Sequence, residues 1–180
     1  MNGHRNIEAQ GWRNPRTAAA APDAGRPLYT AEQRQRRDES VWTLIQGILA
    51  PVQFVIFLIS AFLVCRFLLT GDGREAAELS ILAKTGALYA IMVTGSIWEK
   101  VVFDAWLFAR PFFWEDVFSM AVLALHTAYL VMLFGGHGTP QQQMAVALAG
   151  YAAYVVNAGQ FLWKLRVARL QGARGMAVAA

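Results

Sequence analysis

Four residues stand out as able to do chemistry in an otherwise apolar chain: Glu99 within Trp98-Glu99-Lys100, Glu115 and Asp116 within Trp114-Glu115-Asp116, and His126. The connection between the two tryptophan–glutamate groups is short, so the helices carrying them are expected to pair as a hairpin with Glu99 and Glu115 close together. Close carboxylates repel, and one of them then tends to hold a proton near neutral pH, which suits a general acid. A bland reading competes. Tryptophans belong at membrane interfaces, and Glu115 and Asp116 suit the positive N-terminal end of a helix. His126 is the only histidine inside an apolar segment, where an ionisable ring is hard to explain as interhelical glue alone. His137 lies in a loop, which disfavours a haem held by two histidines.

The composition narrows sharply what can position these residues. The chain has 180 residues, 56% of them hydrophobic and 16% charged, with a net charge of +4. Twelve charged residues fall within residues 1–41, but none within 42–65 or 117–163. A run of 47 uncharged residues this rich in Leu, Val, Ala and aromatics excludes a soluble globular enzyme and predicts an all-α polytopic membrane protein. The single Cys65 excludes an intramolecular disulfide and a multi-cysteine metal site, and its apolar setting predicts a packed thiol. No nucleic-acid partner is expected. The N-terminus lacks an apolar core ending in a small-residue cleavage site, so a cleaved signal peptide is not expected.

Four spans are predicted, at about 42–67, 79–102, 112–134 and 142–165, within a transmembrane domain over residues 42–170. Residues 1–27 read as a disordered cytoplasmic tail, 28–41 as a short surface helix or linker, and 171–180 as a second disordered tail. Thr30 and Gln33 have the spacing of a capping box. Four spans put both termini on one side, and the excess of Lys and Arg there predicts that this side is cytoplasmic. Polar residues recur at helical spacing in every span: Gln46, Gln53 and Ser60; Thr85, Tyr89, Ser96 and Glu99; Glu115, Ser119, His126 and Tyr129; Tyr154, Asn157 and Lys164. Facing lipid would be costly for each, so the stripes are expected to face inward as the polar seam of a four-helix bundle. Counting roughly 15–17 Å from the cytoplasmic boundary reaches Gln53, Tyr89, His126 and Tyr154, a layer that is either a pocket or hydrogen-bonded glue. Lys84, near the opposite boundary, is expected to snorkel to the headgroups. Arg110 and Lys164 are interfacial, where either can pair with a substrate carboxylate.

Several blocks resemble the 3-vinyl (2-vinyl in older numbering) bacteriochlorophyllide hydratases of bacteriochlorophyll biosynthesis. They are Leu28-Tyr29-Thr30-Ala31-Glu32-Gln33-Arg34, Trp42-Thr43-Leu44 with Gln46-Gly47 and Ala50-Pro51, the run from Met92 to Phe103, the run from Phe112 to Met120, Leu125-His126-Thr127-Ala128-Tyr129, and Asn157 with Gln160-Phe161. The resemblance covers roughly residues 28–170. It implies addition of water to the ring-A vinyl group of a magnesium chlorin (chlorophyllide a or a bacteriochlorophyllide), giving a 1-hydroxyethyl group. It also implies a bacterial inner membrane, cytoplasmic or intracytoplasmic. No redox cofactor is required: water is the co-substrate and the magnesium arrives with the pigment.

The resemblance carries no residue roles, so these rest on chemistry. Hydration needs a proton on the terminal vinyl carbon, water attack on the inner carbon, and a base to take the last proton. Glu99 or Glu115 is expected to supply the acid, with Asp116 tuning it, and His126 with Tyr89 or Asn157 to position or deprotonate the water. The alternative has His126 holding the pigment's magnesium while the carboxylates carry all proton transfer. Gln53, Tyr89, Ser96, Ser119, Tyr154, Asn157, Arg110 and Lys164 are the expected substrate-binding residues. Lipid, other pathway enzymes and a second copy of the chain are the further partners considered. A non-catalytic pigment-binding or assembly subunit, with His126 as the chlorin ligand, is the competing function; a small transporter or channel is disfavoured because the fourth span lacks charge and no repeat is visible.

Overall fold

A computed structural model gives the structure of residues 28–179, with side chains described to Leu170. The expected tail over residues 1–27 lies outside the described residues. The chain is all-α, as its composition requires: α1 (Ala31–Glu39), α2 (Val41–Thr70), α3 (Arg74–Phe103), a 3₁₀ turn (Arg110–Phe112), α4 (Phe113–Phe134) and α5 (Pro140–Ala179). α2 to α5 are long and apolar enough to cross a membrane.

Local chemistry starts and stops these helices. Thr30 N–H donates to Gln33 Oε1 at 3.0 Å and Gln33 N–H donates back to Thr30 Oγ1 at 3.2 Å, so α1 opens on a reciprocal capping box. Ser40 closes α1 and caps α2, its Oγ accepting from Trp42 N–H at 3.2 Å. Between α2 and α3 the chain reverses through Gly71 and Gly73, both at φ +81°, a region that only glycine enters without steric cost. α2 and α3 have 30 residues each, roughly 45 Å of helix against a hydrocarbon core of about 30 Å. Their ends therefore stand out of the apolar layer, which is why they outrun the spans that hydropathy alone marks. α5 runs on to Ala179, through nine of the ten residues that composition assigns to a disordered tail. Gln, Ala, Arg and Met in that stretch are good helix formers and outnumber its two glycines, and no proline stops the helix.

The spans pack as two hairpins. α2 lies along α3 and α4 along α5, whereas the α2–α5 and α3–α4 seams are much narrower. This revises the expected pairing of α3 with α4: nine residues, 104–112, separate α3 from α4, and each helix has its long partner on its other side. The core is densest around Val64, Ile81, Val122, Tyr129 and Met144, all fully buried. No span buries more than 28% of its most apolar window, so most of each helix surface is left for lipid. Cys65 is on that exposed surface, contrary to the packed thiol expected, because the buried stripe of α2 steps from Gln53 through Phe57, Ser60 and Val64 to Phe67 and bypasses it.

Candidate functional site

Polar side chains gather in two clusters, one at each level of the bundle. The first sits where α3 ends and α4 begins. The link between them is folded against two carboxylates: Ala109 N–H donates to Glu99 Oε2 at 3.1 Å, and Phe108 N–H donates to Asp116 Oδ2 at 2.7 Å. Phe108 has φ +59°, an expensive conformation for a bulky residue, and its bond to Asp116 helps to hold it there. Glu99 and Asp116 are buried and close enough to interact electrostatically, with Glu115 near both. Glu115 is set apart by its own partner. Lys164 Nζ, from α5, pairs with Glu115 Oε2 at 2.6 Å and also donates to the Pro111 carbonyl, lying 4.9 Å from the centre of the Phe112 ring. One turn along α4, Asn157 Nδ2 of α5 donates to Ser119 Oγ at 2.8 Å, while Asn157 Oδ1 is buried without a hydrogen-bond partner.

Aromatic rings roof this cluster. Phe112 packs against Trp98, Phe103 and Phe161, and Tyr29 stacks on Phe103 at 5.6 Å. Tyr29 stands just before α1 and Arg37 of α1 lies 4.7 Å over its ring, so the short helix is fastened to the site's roof rather than left in solvent. Burial pushes the Tyr29 phenol up from its usual value. Outside the roof, Lys100 pairs with Asp104 at 2.6 Å, and that hydrogen bond holds the exposed Asp104 carboxyl below the usual carboxylate range.

The second cluster lies deeper. His126 is ten residues from Asp116 on α4, roughly 15 Å along the helix axis, so the structure separates it from the carboxylates instead of setting all four side by side. His126 is 0% exposed, and its Nδ1 faces the Val122 carbonyl at 2.8 Å. A carbonyl only accepts, so Nδ1 carries the proton and the lone pair of Nε2, which has no partner, points into the bundle. Gly150 of α5 makes room for the ring: a Cβ there would stand 2.9 Å from two of its atoms. Lys84 is also 0% exposed, correcting the expected snorkel. Its Nζ lies 3.7 Å from the centre of the Tyr154 ring, has no hydrogen-bond partner and is close enough to His126 to interact electrostatically. Beside them Tyr151 hydroxyl bonds Ser60, and Phe57 meets Tyr154 at 4.9 Å.

The inward stripes therefore deliver Gln53, Glu99, Glu115, Asp116, Ser119, His126, Tyr154 and Asn157 to the interior. Three expected contacts lie elsewhere. Tyr89 is 38% exposed, its hydroxyl bonded to Thr127 across the α3–α4 seam at 2.6 Å. Ser96 is half-buried and turns its hydroxyl back to the Val93 carbonyl, and Arg110 is exposed. Lys84 and the backbone amides of Phe108 and Ala109 were missed. The lysine was detectable: Ala77, Ile81, Lys84 and Leu88 step by four, three and four, an inward helical stripe. Nothing in residues 104–112 announces which amide will turn toward a carboxylate.

A family model described as 2-vinyl bacteriochlorophyllide hydratase matches residues 29–167, nearly all of the described chain. The chain belongs to the 2-vinyl bacteriochlorophyllide hydratase family. A protein named 2-vinyl bacteriochlorophyllide hydratase from Cereibacter sphaeroides is 65% identical over 156 residues, covering 86% of this chain and 94% of the relative. Another of that name from Rhodobacter capsulatus is 66% identical over 146 residues, covering 81% and 85%. No solved structure matches. Both clusters, from Glu99 to Lys164 and from Lys84 to Tyr154, fall inside the segment that defines the family.

Proposed function

We propose that this chain is a hydro-lyase that adds water to the vinyl group of a magnesium chlorin, turning it into a 1-hydroxyethyl group. The observation that carries the reading is the family membership, joined to a buried carboxyl pair at one end of an apolar bundle. Glu99 and Asp116 share one proton between them. One carboxyl delivers it to the terminal vinyl carbon, and the positive charge that develops on the inner carbon is delocalised into the macrocycle. Water held by the free Asn157 Oδ1, one turn away beside Ser119, attacks the inner carbon. Its surplus proton returns to the carboxylate of the pair, so the acid is restored and the net change is addition of one water. Glu115 is neutralised by Lys164 and serves to fix the start of α4, not to donate.

His126 takes the other role open to it. A Nδ1–H tied to a backbone carbonyl with a bare Nε2 is the arrangement by which histidines hold metals. On the magnesium of the pigment, His126 would hold the ring centre deeper in the bundle than the carboxyl pair. No further cofactor enters this account. The bundle lies in a bacterial inner membrane with both termini cytoplasmic, a placement supported by the Lys and Arg near Glu99, Arg110 and α5's far end.

The test is turnover of a vinyl chlorophyllide by the detergent-purified protein, followed through the red absorption band. Loss of a conjugated double bond shifts the band to the blue. Tight pigment binding without that shift would favour a pigment carrier instead.

A further inference from the structure

The two hairpins meet along a seam in which buried polar atoms are left without partners. Gln53 Nε2 on α2, Lys84 Nζ on α3, His126 Nε2 on α4 and Asn157 Oδ1 on α5 all fall in this class. Such atoms cost free energy in any interior, and more in a membrane, so these four, one on each spanning helix, mark where a polar ligand group would be stabilised. Lys84 is the most demanding. It is fully buried, no carboxylate is paired with it among the described residues, and its Nζ faces the ring of Tyr154 from the other hairpin, with His126 near enough to interact electrostatically. Every carboxylate in the interior stands at the opposite end, at Glu99, Glu115 and Asp116.

We infer that Lys84 is a carboxylate-binding site for the free acid side chain of the chlorin, reached when the two hairpins part. This deepens the hydratase reading and rests on it for the identity of the ligand. The charge pattern orients the pigment. A carboxylate is repelled by the Glu99–Asp116 end and attracted by Lys84, which places the vinyl edge at the acid pair and the magnesium over His126. Lys84 and Glu99 are fifteen residues apart on α3, roughly 22 Å along the axis, so a carboxylate held at Lys84 lies at the far end of the bundle from the acid pair. The narrow α2–α5 and α3–α4 seams are where the pigment enters, by parting the hairpins from the lipid side.

The test compares a vinyl chlorophyllide with its methyl ester on the full chain in detergent, using wild type, Lys84→Met and Lys84→Arg. In the wild type esterification raises KM about tenfold or more, the scale of a lost charge-assisted hydrogen bond. In K84M the acid has lost the same amount and the ester is no worse than the acid; K84R keeps part of the discrimination. K84M without pigment unfolds at a temperature no lower than wild type, since it removes an unpaired buried charge. Equal penalties for the ester in wild type and K84M, or an unchanged KM for the acid in K84M, would overturn the inference. Binding by fluorescence quenching on E99Q separates this from the hydratase reading. Lys84-dependent preference for the acid with no turnover by wild type leaves the site standing and removes the reaction, whereas turnover without that preference does the reverse.

Discussion

The proposed proton transfer at Glu99 and Asp116 makes the sharpest predictions for single residues. Glu99→Gln and Asp116→Asn keep size and most hydrogen bonds while removing the transferable proton, so each should lower kcat by about 10²–10⁴-fold, with KM for the pigment much less affected. Stopped assays over a substrate series would show this, and a KM effect alone would mean that the pair binds rather than reacts. Glu115 should behave differently. Lys164→Met leaves the buried Glu115 carboxylate uncompensated and should cost about 3 kcal/mol of stability, most of it recovered in the E115Q/K164M double variant. Thermal unfolding in detergent reads both. The four acid and imidazole groups could be picked out from sequence because ionisable side chains are rare in apolar segments. Their partnering could not. Which carboxylate faces Asp116 and which faces Lys164 depends on the path of residues 104–112, where a left-handed Phe108 turns an amide inward that no local pattern predicts.

At the scale of elements, helical periodicity made most of the interior readable, since a lipid-facing polar group is costly enough to sort one face from another. It failed where a polar group could be satisfied at the edge. Tyr89 and Thr127 bond each other on the outer side of the α3–α4 seam, so neither needs the interior. Pairing of helices was also hidden, because a short α3–α4 link suggests a hairpin that the longer contact faces of α2 and α5 override. Close helix packing makes a definite prediction at Gly150. Gly150→Ala pushes a methyl into the His126 ring, which is held by Val122 and has little freedom to move, and should cost about 1–3 kcal/mol in thermal unfolding. Adding His126→Ala to G150A should restore part of that loss. α1 offers a milder case: Thr30→Ala breaks the capping box and should cost about 1 kcal/mol locally. Hydrogen exchange would then quicken in α1 while the spans stay protected.

For the whole molecule, the two hairpins hold firmly within themselves and by narrower seams to each other, so the proposed entry of pigment between them can be tested by tying them together. In a C65S background, joining Y89C to T127C with a short thiol reagent ties α3 to α4 across the seam, while joining Q46C to T94C ties α2 to α3 within one hairpin. The first link should stop turnover and the second should leave it intact. Loss of activity in both, or in neither, would count against entry between the hairpins. The reaction itself is tested most directly by incubating the purified protein with a vinyl chlorophyllide in heavy-oxygen water and weighing the product. The account predicts a product heavier by one labelled water, with its red band moved to the blue, and neither change with E99Q. A pigment recovered at its original mass from an active, folded preparation would contradict it.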